Sequence, residues 1–350
     1  MTSPDALIAE TTDRIFRELA DPQVVNAARD DAWKSGLWTA LEEVGLTRAW
    51  VPDDRGGAGA ELIDGFEILR IAGCHAVAVP LAETLLAGWL LAKAGLDVPD
   101  GPLTVALGDG PELDCDALKG TARGIPFAAD AGHIALVAAG AAGPQVVLVH
   151  AADATIADGP GIAGDGLAAV SFDGVRPVAA APLPNALGAQ DLMLMGAAVR
   201  AQQMAGALQA VLAMSTAYAK ERQAFGRQIG KFQAVQQNLA RLAGETAAAV
   251  AAAGSAADAI QNAEAFDEAV FLEVAAAKIR AGEAAGEGAA IAHQAHGAMG
   301  FTEEHVLHRY TRRLMAWRDD FGSEAEWAVG LGAMVAAAGA DALWPMVAAR

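Results

Sequence analysis

After about residue 185 this chain is almost entirely alanine- and leucine-rich segments with apolar residues at helical spacing, and one short turn that carries cations breaks them. The turn lies in Tyr218-Ala219-Lys220-Glu221-Arg222-Gln223-Ala224-Phe225-Gly226-Arg227-Gln228-Ile229-Gly230-Lys231-Phe232-Gln233. Residues 202–220 before it form a helical pattern with Lys220 in the last turn, where the helix dipole favours a cation. After it, Ile229, Phe232, Val235, Leu239 and Leu242 recur with a helical period and predict one buried stripe. Gly226 and Gly230 mark the turn itself. Arg222, Arg227 and Lys231 therefore meet at a helix–helix corner beside Phe225. Such a corner offers fixed cations and free backbone N–H groups to a phosphate-rich ligand. An ordinary αα-corner with solvated charges satisfies the same spacing.

The helical pattern covers 187–220, 231–257, 265–295, 303–317 and 324–337, and its short connections predict an antiparallel bundle. Residues 247–259 are rich in alanine, a helix former, so low complexity there means helix. Hydrophobic residues make up 54% of the chain but aromatics only 5%, so the core is expected to be close-packed alanine rather than rings. Residues 5–19, 28–44 and 61–76 are also helical by period, and another helix opens at Pro80 and ends at Gly95. Pro52 and the glycines at 56, 57 and 59 fix a turn between them. From about 101 the pattern changes to short apolar runs at 103–106, 134–138, 146–150 and 166–172, which read as strands. Pro182-Leu183-Pro184 closes that region. The expectation is a mainly α chain with a small β domain: 1–100 helical, 101–184 β, 185–350 a helical bundle. Strands do not alternate with helices, which excludes a parallel α/β sheet.

A net charge of −19 argues against non-specific nucleic-acid binding, and any anionic ligand must find a local basic patch. Cys74 and Cys115 stand in unrelated contexts without metal-ligand spacing, as free thiols do in a reducing compartment. The start of the chain lacks a signal-peptide pattern. Pro80, Glu83 and Lys93 interrupt the apolar stretch 77–96, so no membrane span is expected. The expected location is cytoplasmic. His75 reads as packed or capping. His293, His296, His305 and His308 crowd one region, but no spacing among them closes a metal site, and Glu303 and Glu304 read as a helix start. No metal is expected.

Residues 221–233 resemble the signature of the acyl-CoA dehydrogenase family, flavin enzymes that desaturate acyl-CoA thioesters between the α and β carbons. The resemblance implies FAD as cofactor. It places Arg222 on the FAD pyrophosphate of a neighbouring subunit, Phe225 packed on the same cofactor and Gln233 close to it. Residues 292–305 resemble the family's Gln-x-x-Gly-Gly-x-Gly-Phe turn, with Ala298 in place of the second glycine. By that match Gln294 and Gly297 lie along the adenosine half of a partner's flavin. Residues 46–59 resemble the family's Val-Pro-Glu … Gly-Gly-x-Gly loop, with Asp53 replacing the glutamate, and 305–313 resemble its bacterial members. The implied fold is a helical N-terminal domain, a β barrel and a C-terminal bundle. Here the β span is short, so a reduced barrel is expected. Neither the Thr-Glu-Pro-x-Ala-Gly-Ser flavin loop nor a Trp-Ile-Thr/Ser strand is present, and residues 120–126 stand in a comparable place without those side chains.

The reaction needs a carboxylate to take the weakly acidic α-proton while the β-hydrogen leaves as hydride to the flavin. In most of the family that base is the glutamate of a Tyr-Glu-Gly-Thr turn. Here the turn falls on Asp320-Phe321-Gly322-Ser323, and Phe321 stands where the base should be. A minority keep the base on the first bundle helix, where this chain has Gly196 and Ala197. Asp319, Asp320 and Glu324 are nearby carboxylates that also read as surface charges or caps. The pattern resembles bacterial two-component members, similar to those that trim steroid side chains, in which one subunit of a heterotetramer keeps the base and the other is degenerate. Three readings follow. The first is the base-lacking subunit of such a complex, with a homologous partner, an acyl-CoA substrate and an electron-transfer flavoprotein as acceptor. The second is a self-sufficient homotetramer using Asp320 or Glu324, and the third a helical binding or scaffold protein.

Overall fold

The computed structural model describes residues 4–28, 30–107, 110–185, 187–188 and 190–348, so the first three residues of the expected leaderless start lie outside it. Five helices come first: α1 (Pro4–Leu19), α2 (Pro22–Ala27), α3 (Ala32–Glu43), α4 (Leu62–Cys74) and α5 (Leu81–Lys93). Eight strands follow: β1 (Leu103–Ala106), β2 (Glu112–Asp114), β3 (Ala117–Pro126), β4 (His133–Gly140), β5 (Gln145–His150), β6 (Thr155–Ala157), β7 (Leu167–Val175) and β8 (Ala179–Pro182). The remainder is α6 (Asp191–Glu221), a hairpin of β9 (Gln223–Ala224) and β10 (Arg227–Gln228), then α7 (Gln233–Asn262), α8 (Glu268–His296), α9 (Leu307–Asp319), α10 (Glu324–Ala338) and α11 (Ala340–Ala348). The mainly α architecture with one β region is the one the periodicity predicts.

Local chemistry sets the helix starts. Asp21 accepts hydrogen bonds from the Gln23 and Val24 amides ahead of Pro22 at the start of α2. Reciprocal capping boxes open α4 (Glu61 and Asp64) and α10 (Ser323 and Glu326). His75 caps α4 and its Nε2 lies 2.8 Å from Asp13 Oδ1, a structural role.

The sheet runs β6-β7-β3-β2-β4-β5-β8, with β1 joined to β4. β1 and β2 run parallel to β4 and the other pairs are antiparallel, a mixed sheet. β2, β3, β6 and β8 go beyond the four strands read from the sequence. β3 holds Lys119, Gly120, Arg123 and Gly124 among its ten residues, so its apolar alternation is weak and pairing with β7 makes it a strand. β5 is apolar at consecutive positions because both faces are covered. Val147 and Val149 join a core inside the β region, and Val146 and Leu148 join the helical core.

α4 and α6 cross through glycine. A side chain on Gly206 would run into the Arg70 carbonyl, and one on Gly73 into that of Gln203. The stripe along α7 departs from expectation, since Leu242 is buried but Ile229, Phe232, Val235 and Leu239 are only half-buried within the chain. Among the described residues no single helix is long and apolar enough to cross a membrane, and no three His, Cys, Asp or Glu side chains form a group suited to a metal ion. Cys74 and Cys115 are free thiols.

Because a methyl group at the α4–α6 crossing must push two backbones apart, Gly206→Ala should lower the free energy of unfolding by about 1–3 kcal/mol. Urea denaturation measures it, and an unchanged midpoint would contradict the packing account.

Candidate functional site

Two places carry the residues that the sequence singles out. The first is the corner after α6. Arg222 leaves the helix in an extended conformation (φ −66°, ψ 128°), and its amide still bonds to the Tyr218 carbonyl. Gln223 pairs with Gln228 and Ala224 with Arg227, leaving Phe225 (φ 51°) and Gly226 (φ 74°) as a two-residue hairpin tip. Both tip residues are left-handed, as such turns require, and a phenylalanine holds that conformation only at a cost. The Phe225 side chain is 96% exposed. The Arg227 guanidinium lies 4.1 Å from the Phe232 ring centre, which stiffens the corner from within. Arg222 and Gln233 are exposed.

α8 ends at the same place. Tyr218, one turn before Arg222, stacks on His296 at 4.4 Å and reaches its carbonyl at 3.4 Å. Gln294 is exposed two residues earlier and accepts a bond from Asn238 Nδ2 at 3.1 Å. Gly297 follows with φ 61° and open space where a side chain would begin. Arg222 and Gln294 thus lie at one end of the bundle. The histidines beneath are packing groups: His296 Nδ1 bonds to the Ala292 carbonyl at 2.8 Å and His293 Nε2 to Thr311 at 2.9 Å. Burial holds His293, His296 and His305 below the usual imidazole pKa, and neighbouring histidines add to the effect.

The second place is the turn between α9 and α10. Phe321 takes φ 55° and is 7% exposed. Its ring lies directly on Gly196 of α6, where any side chain would overlap it. Phe321 and Gly196 are therefore in contact, and neither carries a proton acceptor. Trp327 Nε1 donates to the Phe321 carbonyl at 2.9 Å. Lys278 of α8 donates to the carbonyls of Trp317 (3.1 Å), Arg318 (2.6 Å) and Gly322 (2.7 Å), acceptors that the helix end leaves open.

Arg200 completes this turn from α6. It is 2% exposed and donates from Nε to Asp320 Oδ2 (2.9 Å), from Nη1 to Gln203 (2.6 Å) and from Nη2 to Glu83 (2.5 Å). Burial raises the Glu83 pKa despite the adjacent guanidinium. Asp320 is thus a counter-ion, and Glu324 accepts from Arg318 Nε at 2.6 Å. Asp319 is exposed. The cavity beside them is only about 100 Å³ and is lined by Pro126, Phe127, Ile162, Asp165, Arg200 and Trp317. Loop 161–166 is latched across it by Arg313 to both Asp165 oxygens (2.9 and 3.1 Å) and Arg312 to the Ile162 carbonyl (2.6 Å).

Sequence reasoning missed Arg200, Glu83 and Lys278 as parts of this site. The available signal was a charge flanked by apolar residues inside a helical segment, such as Glu83 and Arg200, since such a charge is buried only with a partner. Lys278, with Arg280 two residues on, gave no such signal.

Residues 189–324 match the acyl-CoA dehydrogenase C-terminal domain. Acyl-CoA dehydrogenase IpdE2 of Mycobacterium tuberculosis is 31% identical over 324 residues, covering 89% of this chain and 92% of that protein. The chain belongs to the acyl-CoA dehydrogenase family. Among solved structures, a steroid ACAD variant of the Tcur3481–Tcur3483 pair superposes with a TM-score of 0.83 at 26% identity, covering 95% of this chain and 98% of that one. A chain of the ChsE4–ChsE5 complex from M. tuberculosis has the same fold, with a TM-score of 0.85 at 22% identity over 97% and 99% of the two chains.

Burial lowers the Lys278 pKa from 10.5 to about 8, and the Asp320 and Glu324 carboxylates partly oppose it. Between those values the unfolded chain holds more protons than the folded one, so this group's contribution to stability rises with pH from about 8 to 10.5. Unfolding free energies of the native chain and Lys278→Met should therefore diverge in favour of the native chain from pH 8 to 10, by on the order of 1–2 kcal/mol. A constant difference would show that the ammonium is not destabilised by burial.

Proposed function

We propose that this chain is the subunit lacking the catalytic base in a two-component acyl-CoA dehydrogenase, and that it completes the FAD site of a homologous partner. The observation that carries the reading is the contact of Phe321 with Gly196, because neither base position can accept a proton. Asp320 and Glu324, the alternatives for a self-sufficient homotetramer, are held by Arg200 and Arg318.

The residues present divide in their fit to FAD. At the corner, exposed Arg222 offers a charge-assisted bond to a pyrophosphate. Open Gly297 allows close backbone approach there, and Gln294 and Gln233 supply amides. Phe225 presents an apolar face to the same ligand. At the ring half, the cavity of about 100 Å³ is well under the ~300 Å³ of small-molecule sites, and loop 161–166 lies latched across it. This chain therefore holds the phosphate and adenosine half of a partner's FAD. When bound, FAD accepts the β-hydride of the acyl thioester; proton abstraction and acyl binding fall to the partner. The half-buried stripe of Ile229, Phe232, Val235 and Leu239 gives that partner an apolar surface beside the corner. The relatives named as complexes support a two-component assembly, expected as a heterotetramer in the cytoplasm with an electron-transfer flavoprotein as acceptor.

Purified alone, the chain should show no flavin absorbance, and co-purified with its partner it should. Stoichiometric flavin and turnover from the chain alone would instead establish the homotetramer. In the assembled enzyme Arg222→Ala should weaken flavin retention by about 2 kcal/mol, and unchanged flavin content would contradict the assignment of the corner.

Asp319→Asn, Asp320→Asn and Glu324→Gln should each leave turnover of the assembled enzyme nearly untouched. Loss of a true base removes a factor of about 10²–10⁴, and a fall of that size with flavin bound and the fold intact would overturn the reading.

A further inference from the structure

A larger cavity, of about 330 Å³, lies toward the N-terminal end of α9, whereas the filled turn lies at its C-terminal end. Its wall gathers His308, Arg309, Arg312 and Arg313 of α9 and Lys34 of α3. In a chain of net charge −19 this is a local concentration of cations. Three carboxylates, Asp30, Asp31 and Asp165, also line it. All three are engaged: Asp31 with Lys34 at 2.7 Å, Asp165 with Arg313 at 2.9 Å, and Asp30 with the Ala32 amide at 3.1 Å. Among the described residues Arg312 uses its Nε, on the Ile162 carbonyl, and no other donor.

Arg309 and Arg313 are one helical turn apart and partly or wholly buried, a like-charge pair of which Asp165 compensates only the Arg313 member directly. Burial, and then Arg313, make it harder for Arg309 to keep its proton. The Nε–H groups of both are buried and have no acceptor among the described residues. Arg313 is 2% exposed, so water does not readily satisfy it. His308 donates its Nδ1–H to the His305 carbonyl at 2.8 Å, which leaves Nε2 for another partner. Guanidinium groups with spare donors and a cavity of small-molecule size match an anion with several acceptor oxygens.

We infer that this cavity binds a phosphate dianion, held by Arg309 and Arg312 with His308 beside them. The proposal does not depend on the FAD half-site, whose residues lie on α6, α7, α8 and the hairpin. Two sources share the chemistry, free phosphate and a phosphate monoester carried on a nucleoside. A second cavity of about 280 Å³ continues past the shared residues Lys34 and Ala78 to Trp38, Val79 and Pro80. It gives a nucleoside an apolar bed with an aromatic wall.

Calorimetric titration of the full-length chain with inorganic phosphate, in chloride buffer, tests the site. Saturable binding is expected at millimolar phosphate or below, with Arg309→Gln and Arg312→Gln each weakening it about tenfold or more. Lys119→Gln, on β3, is expected to leave it unchanged. Circular dichroism and thermal unfolding establish that the variants are folded, and Arg312 is exposed enough for its variant to fold in any case. Adenosine monophosphate binding more tightly than phosphate assigns the nucleoside source, and equal affinity assigns free phosphate. Absence of saturable binding, or equal affinity in the two arginine variants and the native chain, overturns the proposal.

Discussion

The Arg200 guanidinium is the joint on which the interior of this protein depends. It reaches Glu83 on α5, Gln203 on its own helix and Asp320 at the end of α9, so one side chain ties the first helical region to the bundle and to its final turn. A guanidinium suits this task because its donors form a rigid planar fork and it stays charged under burial. Such a group survives in a dry core only when its partners are all in place, since removing one leaves an uncompensated charge. The turn is held from the other side by Lys278, which closes three carbonyls at once. With backbone and carboxylate both immobilised, Phe321 has no freedom to leave Gly196.

Among the described residues, Phe127, Phe225 and Phe321 hold left-handed backbone conformations. Phe225 is at the tip of the corner hairpin, Phe127 lines the small cavity, and Phe321 lies on Gly196 in the turn between α9 and α10. Strain of this kind persists only where the surroundings over-determine it. At Phe321 the surroundings are Lys278, Trp327 and Arg200. At Phe225 they are the two strand pairs and the packed Phe232.

The two ends of the bundle differ accordingly. The α6–α8 end is open and presents exposed polar and aromatic groups around backbone that a ligand can approach. The α9–α10 turn is dry, paired and filled. The geometry therefore gives the proposed division of labour a physical basis.

Much was legible in the chain itself, for reasons that are local. Helical period, capping residues and the break at residue 101 are properties of neighbours in sequence, and they determined the mainly α architecture. The corner was also legible as a turn, because Arg222, Phe225 and Gly226 lie within five residues, whereas its hairpin pairing was not read from the sequence. What required the tertiary structure was long-range. β3 is a strand because β7 pairs with it, not because its own residues favour one. The stripe on α7 looked buried because periodicity shows which face is apolar, not what covers it. Glu83, Arg200 and Asp320 are 117 and 120 residues apart along the chain, so no spacing rule joins them. Sequence alone established that Phe321 and Gly196 lack a proton acceptor. Only the folded chain placed one ring on the other backbone, because burial and contact are decided by packing.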